Sequence, residues 1–130
     1  MNTLVNFEIA KSLKEKGFDL YCVWSYWNSE LTSHTPGYAL EDGTTSQENY
    51  WDFDRYYAPT IAEVVMWLYE KHEIWISVDT FADAFKAVIK KYYSDGKLWV
   101  IADSTYISKY HNSPTEAYQA AIEYTLNNLI

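Results

Sequence analysis

The stretch Glu41 to Asp54 gathers the groups best able to do chemistry. Glu41, Asp42, Glu48, Asp52 and Asp54 stand there without a basic residue, and Tyr50, Trp51 and Phe53 interleave with the last acids. Two kinds of work suit such a run. Closely spaced carboxylates can hold a divalent cation, and aromatic anchors inside an acidic rim can seat a partner protein. The cation reading fits poorly. A calcium loop needs acids at alternating positions, a central glycine and a closing glutamate, and that pattern is missing. A sugar ring stacked on Trp27 or Trp51 is a variant of the second reading that no spacing supports. The plainer alternative is a solvated loop whose rings fold back over the core, because apolar rings seldom stay in water without reason. On the binding reading the candidate contact residues are Trp27, Tyr50, Trp51, Asp52, Phe53 and Asp54.

Other reactive groups offer less. Cys22 sits in an apolar run and reads as a core thiol rather than a nucleophile. His34, His72 and His111 share no metal-ligand spacing, and His72 suits the end of a helix, where positive charge is favoured. Phosphate-cradling glycine loops, a nucleophile elbow and CxxC pairs are all missing. No cofactor or metal site is therefore expected. A carboxylate enzyme would draw on at least two of Glu41, Asp52, Asp54, Asp79 and Asp103, but sequence cannot pair them in space.

The 130 residues, 48% hydrophobic, suit one folded domain and not a disordered chain. No run of about 18 apolar residues and no secretory signal is visible, and one cysteine suits a reducing cytoplasm. The net charge is −8 with a single arginine, Arg55, which argues against direct nucleic-acid binding. The same charge admits an acidic nucleic-acid mimic that blocks a DNA-binding protein. The 13 tyrosines and 6 tryptophans exceed what a core of this size needs, so some are expected at a surface that meets a host or phage protein.

The elements that must position these groups are organised around residues 60–72. Ile61, Val64, Val65, Leu68 and His72 recur with helical spacing, and Met66, Trp67 and Tyr69 widen the apolar arc, so the helix is expected to be covered on more than one side. Thr60 and Glu63 form a capping box. A first helix is expected over 3–16, capped by Thr3 or Asn6 and stopped by Gly17 with Phe18 folding back on Leu13. Asp19 to Asn28 reads as a strand with both faces covered. Glu30 to His34 and Gly37 to Leu40 read as a short hairpin, and the rest of 28–57 as a loop. Ile74 to Thr80 is a strand running back along the central helix. Residues 81–93 fit a helical stripe, yet are rich in strand formers and lead through Asp95-Gly96, a hairpin signal, into a strand over Leu98 to Asp103. Tyr106 to Tyr110 could add a short strand. Ser113, Pro114 and Glu116 open a last helix whose inner face carries Tyr118, Ala121, Ile122, Thr125, Leu126 and Leu129, able to lie beside the central helix.

Three blocks, Phe7 to Phe18, Ala58 to His72 and Ser113 to Ile130, together about a third of the chain, resemble small uncharacterised proteins encoded in gut Bacteroidetes genomes, their phages and integrated elements. Glu73 departs from that set, where glycine is common. The resemblance implies a mobile-element origin and, for 84–92, a strand against the periodicity. It brings no activity, catalytic residue or cofactor. The expected fold is a single α+β domain with three helices packed on an antiparallel sheet of three to five strands; the alternative makes 81–92 a fourth helix.

Overall fold

The computed structural model describes residues 3–27, 29–33, 55–103 and 110–130. The fold is α+β, with three helices and two antiparallel three-stranded sheets. The strands expected in one sheet thus divide between two. The chain forms two compact units, one of residues 5–59 and one of residues up to 4 together with 60–130.

In the 5–59 unit, helix α1 (Phe7–Glu15) starts at Asn6, whose side chain accepts the Ile9 N–H at 2.9 Å. It stops as its sequence requires. Gly17 takes φ +85°, its N–H donates to the Lys14 carbonyl, and the Phe18 N–H donates to the Leu13 carbonyl. Phe18 then lies buried with Leu13, Ile9 and Ala10. Strands β1 (Trp24–Trp27), β2 (Glu30–Ser33) and β3 (Arg55–Tyr57) form a sheet in the order β2-β1-β3. Phe7 packs edge-on against Tyr26 and Tyr56, each ring 5.6 Å away, and the Tyr26 hydroxyl donates to the Val5 carbonyl at 2.8 Å.

Three expectations change here. The strand foreseen over Asp19 to Asn28 shrinks to β1, and Leu20, Tyr21, Val23, Trp24 and Trp27 are exposed instead of covered. The Schellman ending turns Phe18 inward, Cys22 follows it into the core, and only Trp24 onward finds ladder partners. The strand expected from Glu30 is present as β2, and it forms a hairpin with β1 that the sequence reading did not include. Trp27 faces Glu30 across a two-residue turn in which Ser29 takes φ +67°, the left-handed conformation such turns need. Gly37 to Leu40 lie outside the described residues. Arg55–Tyr57, read as loop, is the third strand.

In the second unit, Leu4 bridges Thr60, and α2 (Ile61–His72) carries the full capping box, with the Thr60 N–H 2.9 Å from Glu63 Oε1 and the Glu63 N–H 3.2 Å from Thr60 Oγ1. Ile61, Val64, Val65, Trp67 and Leu68 are buried, but Met66 and Tyr69 are exposed, so the apolar girth is only partly covered. Glu73 ends the helix at φ +58°. Strands β4 (Ile74–Phe81), β5 (Ala84–Tyr92) and β6 (Leu98–Asp103) follow in sheet order, and α3 (Pro114–Asn128) packs on β4 and β5 beside α2. The segment 84–92 is a strand, as the resemblance implied. Ala87, Val88 and Ile89 are buried in succession, as a central strand flanked on both edges permits and a one-sided helix does not. Ser113 Oγ accepts the Glu116 N–H at 3.2 Å and Pro114 fills the first turn of α3. Ala117, Ala121, Ile122, Thr125 and Leu126 are its buried face, and Thr125 satisfies its hydroxyl on the Ala121 carbonyl at 2.8 Å.

Candidate functional site

Of the six candidate contact residues, the structure describes Trp27, which ends β1 with 37% of its surface exposed. Tyr50, Trp51, Asp52, Phe53 and Asp54 lie outside the described residues, as do Glu41, Asp42, Glu48 and His34. Asp79 stands exposed on β4 with Lys86 as its cross-strand neighbour, and Asp103 ends β6. Cys22 is buried with its thiol 3.5 Å from the Leu20 carbonyl, consistent with a packed core thiol. The small hollow lined by Ala10, Leu13, Lys14, Phe18 and Tyr57 is bounded by no carboxylate, and the Lys14 ammonium lies 5.0 Å above the Tyr56 ring.

His72 ends α2, as expected, but burial works against the positive charge expected there. Its ring meets Trp67 edge-on at 4.9 Å, and burial lowers its pKa below the ordinary histidine range. Loss of hydration disfavours the charged form of this ring. His111 pairs through its main chain with Phe85, and its Nε2 is buried without a hydrogen-bond partner among the described residues.

One concentration of exposed apolar side chains among the described residues is a group that sequence reasoning did not single out. It lies on the hairpin joining β5 to β6. Tyr92, Tyr93, Leu98, Trp99 and Val100 are all exposed, Trp99 at 53% and Val100 at 57%. Local sequence builds this hairpin. Gly96 takes φ +81°, the Tyr93 N–H donates to the Lys97 carbonyl at 3.1 Å, and Asp95 Oδ1 accepts the Lys97 N–H at 2.9 Å. Asp95 Oδ2 also accepts the Trp99 indole N–H at 2.9 Å. An exposed tryptophan is thereby held in one orientation before anything touches it, which lowers the entropy lost on binding. The available signal was the Asp95-Gly96 turn followed by five residues with a single charge. Alternation was too weak there to say which rings face out. The cross-strand pairs put Tyr92 with Leu98 and Lys90 with Val100 on one face, and Lys91 with Trp99 on the other.

Comparison of the chain with protein-family models, curated proteins and solved structures finds no match. Among the described residues no helix is long and apolar enough to cross a membrane, and no three of His, Cys, Asp and Glu converge to hold a metal ion.

Proposed function

We propose that this protein is a small non-enzymatic binding protein of phage or mobile-element origin that engages another protein through exposed aromatic surface, in the cytoplasm. The observation that carries the reading is the β5–β6 hairpin, where Trp99 is half exposed on one face, held by Asp95, and Val100, Leu98 and Tyr92 are exposed on the other. Pre-set aromatic anchors amid flanking charge are what protein-binding hot spots are made of. Asp79 opposite Lys86, and Asp95 beside Lys97, interrupt any continuous acidic face on this sheet, which leaves the nucleic-acid mimic with less support. The origin rests on the three resembling blocks alone.

The test is site-specific photo-crosslinking. Benzoylphenylalanine replaces Tyr93 in one sample and the exposed helix residue Tyr69 in another, each in a lysate of the host. The expected result is a discrete adduct from position 93 only, competed away by unlabelled wild-type protein and not by a Trp99→Ala/Val100→Asp variant. Adducts alike at both positions, or competition by that variant equal to wild type, would reject the reading.

A further inference from the structure

We infer that the outer edge of β6 takes an extended, acidic segment of a partner protein as an added strand; this rests on the reading of the hairpin as a binding surface. Three observations converge. The first is the open edge. The sheet order is β4-β5-β6, and among the described residues no strand pairs with the far side of β6. Because the Lys97 carbonyl accepts from Tyr93 on β5, alternation along the strand turns the N–H and C=O of Leu98 and Val100 away from β5. These are the groups a visiting strand would bond.

The second is charge. The chain as a whole carries −8, but the β5–β6 hairpin is locally basic: Lys86, Lys90, Lys91 and Lys97 stand there against Asp95 and Asp103. Asp95 is already engaged by the Trp99 indole and the Lys97 N–H. Lys97, at the start of this edge, and Lys91, across from Trp99, are both exposed, so a visiting strand bearing carboxylates meets complementary charge, while one bearing lysines meets repulsion. The third is side-chain alternation. Val100 and Leu98 on one face and Trp99 on the other offer apolar contact to residues on both sides of the added strand. The register shift in β6 after Val100, opposite Ile89 and Lys90, limits regular pairing to the Leu98–Val100 end, so the docked segment is short. Single-stranded nucleic acid could use the same rings and lysines, but it would leave the open backbone groups unbonded, so a peptide is the better fit.

The experiment is a titration of the isotope-labelled full chain, followed through its amide resonances. The probes are a capped seven-residue peptide of alternating glutamate and valine, its lysine–valine counterpart, and oligothymidylate. The glutamate peptide is expected to bind with a dissociation constant below about 1 mM, to move the Leu98 and Val100 amides most, and to weaken severalfold as salt rises from about 0.05 to 0.3 M. A Lys91→Glu/Lys97→Glu variant, altered only at exposed positions, should bind at least about tenfold more weakly. Val100→Pro, which removes one outward N–H, should abolish the amide shifts. Equal binding of both peptides, shifts that avoid Leu98 and Val100, or a response to oligothymidylate alone would overturn the inference. Crosslinking at position 93 would still succeed in those cases if the broader reading holds, so the two can fail separately.

Discussion

Residue by residue, the sharpest consequences lie where the chain adopts a conformation its side chain disfavours. Glu73 holds φ +58° at the end of α2, and its carbonyl accepts the Tyr92 N–H at 2.9 Å, so the geometry is fixed from both sides. A left-handed non-glycine residue costs about 1 kcal/mol. Glu73→Gly is therefore expected to raise unfolding free energy by up to about 1 kcal/mol in urea titrations, and a loss of stability would contradict this account. Ala82, at φ +52° in the two-residue turn between β4 and β5, predicts the same sign for Ala82→Gly.

His72 gives a pH dependence at the same scale. Burial lowers its folded pKa below the unfolded value, so the unfolded chain binds the proton more readily. Its contribution is intact above the ordinary histidine pKa and is lost as pH falls through that value toward the lower folded one. Urea midpoints at about pH 7.5 and 5.5 should thus differ more for wild type than for His72→Asn; parallel losses would assign the acid sensitivity elsewhere.

At the scale of elements, helix ends were the most legible feature because they depend on residues a few positions apart. Asn6, Gly17 with Phe18, Thr60 with Glu63, and Ser113 with Pro114 all act as their spacing requires. Strand ends were less so. Nothing local distinguishes Asp19–Val23 from Trp24–Trp27; the difference is whether β2 and β3 are there to pair. The stripe of 81–92 fitted a helix by coincidence of Ala84, Phe85, Val88, Ile89 and Tyr92, and sheet pairing on both edges of β5 decided otherwise. Two substitutions probe this level. Leu68→Ala, at a fully buried position of α2, should cost about 2–5 kcal/mol. Asp95→Ala removes two bonds that organise the β5–β6 turn and should cost about 1 kcal/mol, with Trp99 emission losing its fixed environment; an unchanged spectrum would show that Asp95 does not hold the ring.

For the whole molecule, composition foretold surplus aromatic rings, but not their place. The candidate residues were drawn toward Tyr50 to Asp54 because acids and rings interleave there, and of that set Trp27 is the residue the structure describes. Tyr92, Tyr93 and Trp99 fall in or next to segments that read as strands, and strand propensity says nothing about which side is covered. Which face of a strand is covered depends on the length of the elements laid over it, here α3 on β4 and β5, and the tip of the hairpin projects past them into solvent. The charge pattern shows the same limit. A global −8 suggested acidic contact surface, while the β5–β6 hairpin carries four lysines against two aspartates.

The most direct test of the hairpin as a presented surface is fluorine resonance of 5-fluorotryptophan-labelled protein with a soluble paramagnetic quencher, assigned by Trp99→Phe and Trp67→Phe. Trp99, 53% exposed, should broaden strongly while Trp67, 3% exposed, stays sharp, and the Trp99 signal should regain its sharpness in the crosslinked complex. Protection of Trp99 equal to that of Trp67 in the free protein would contradict the account.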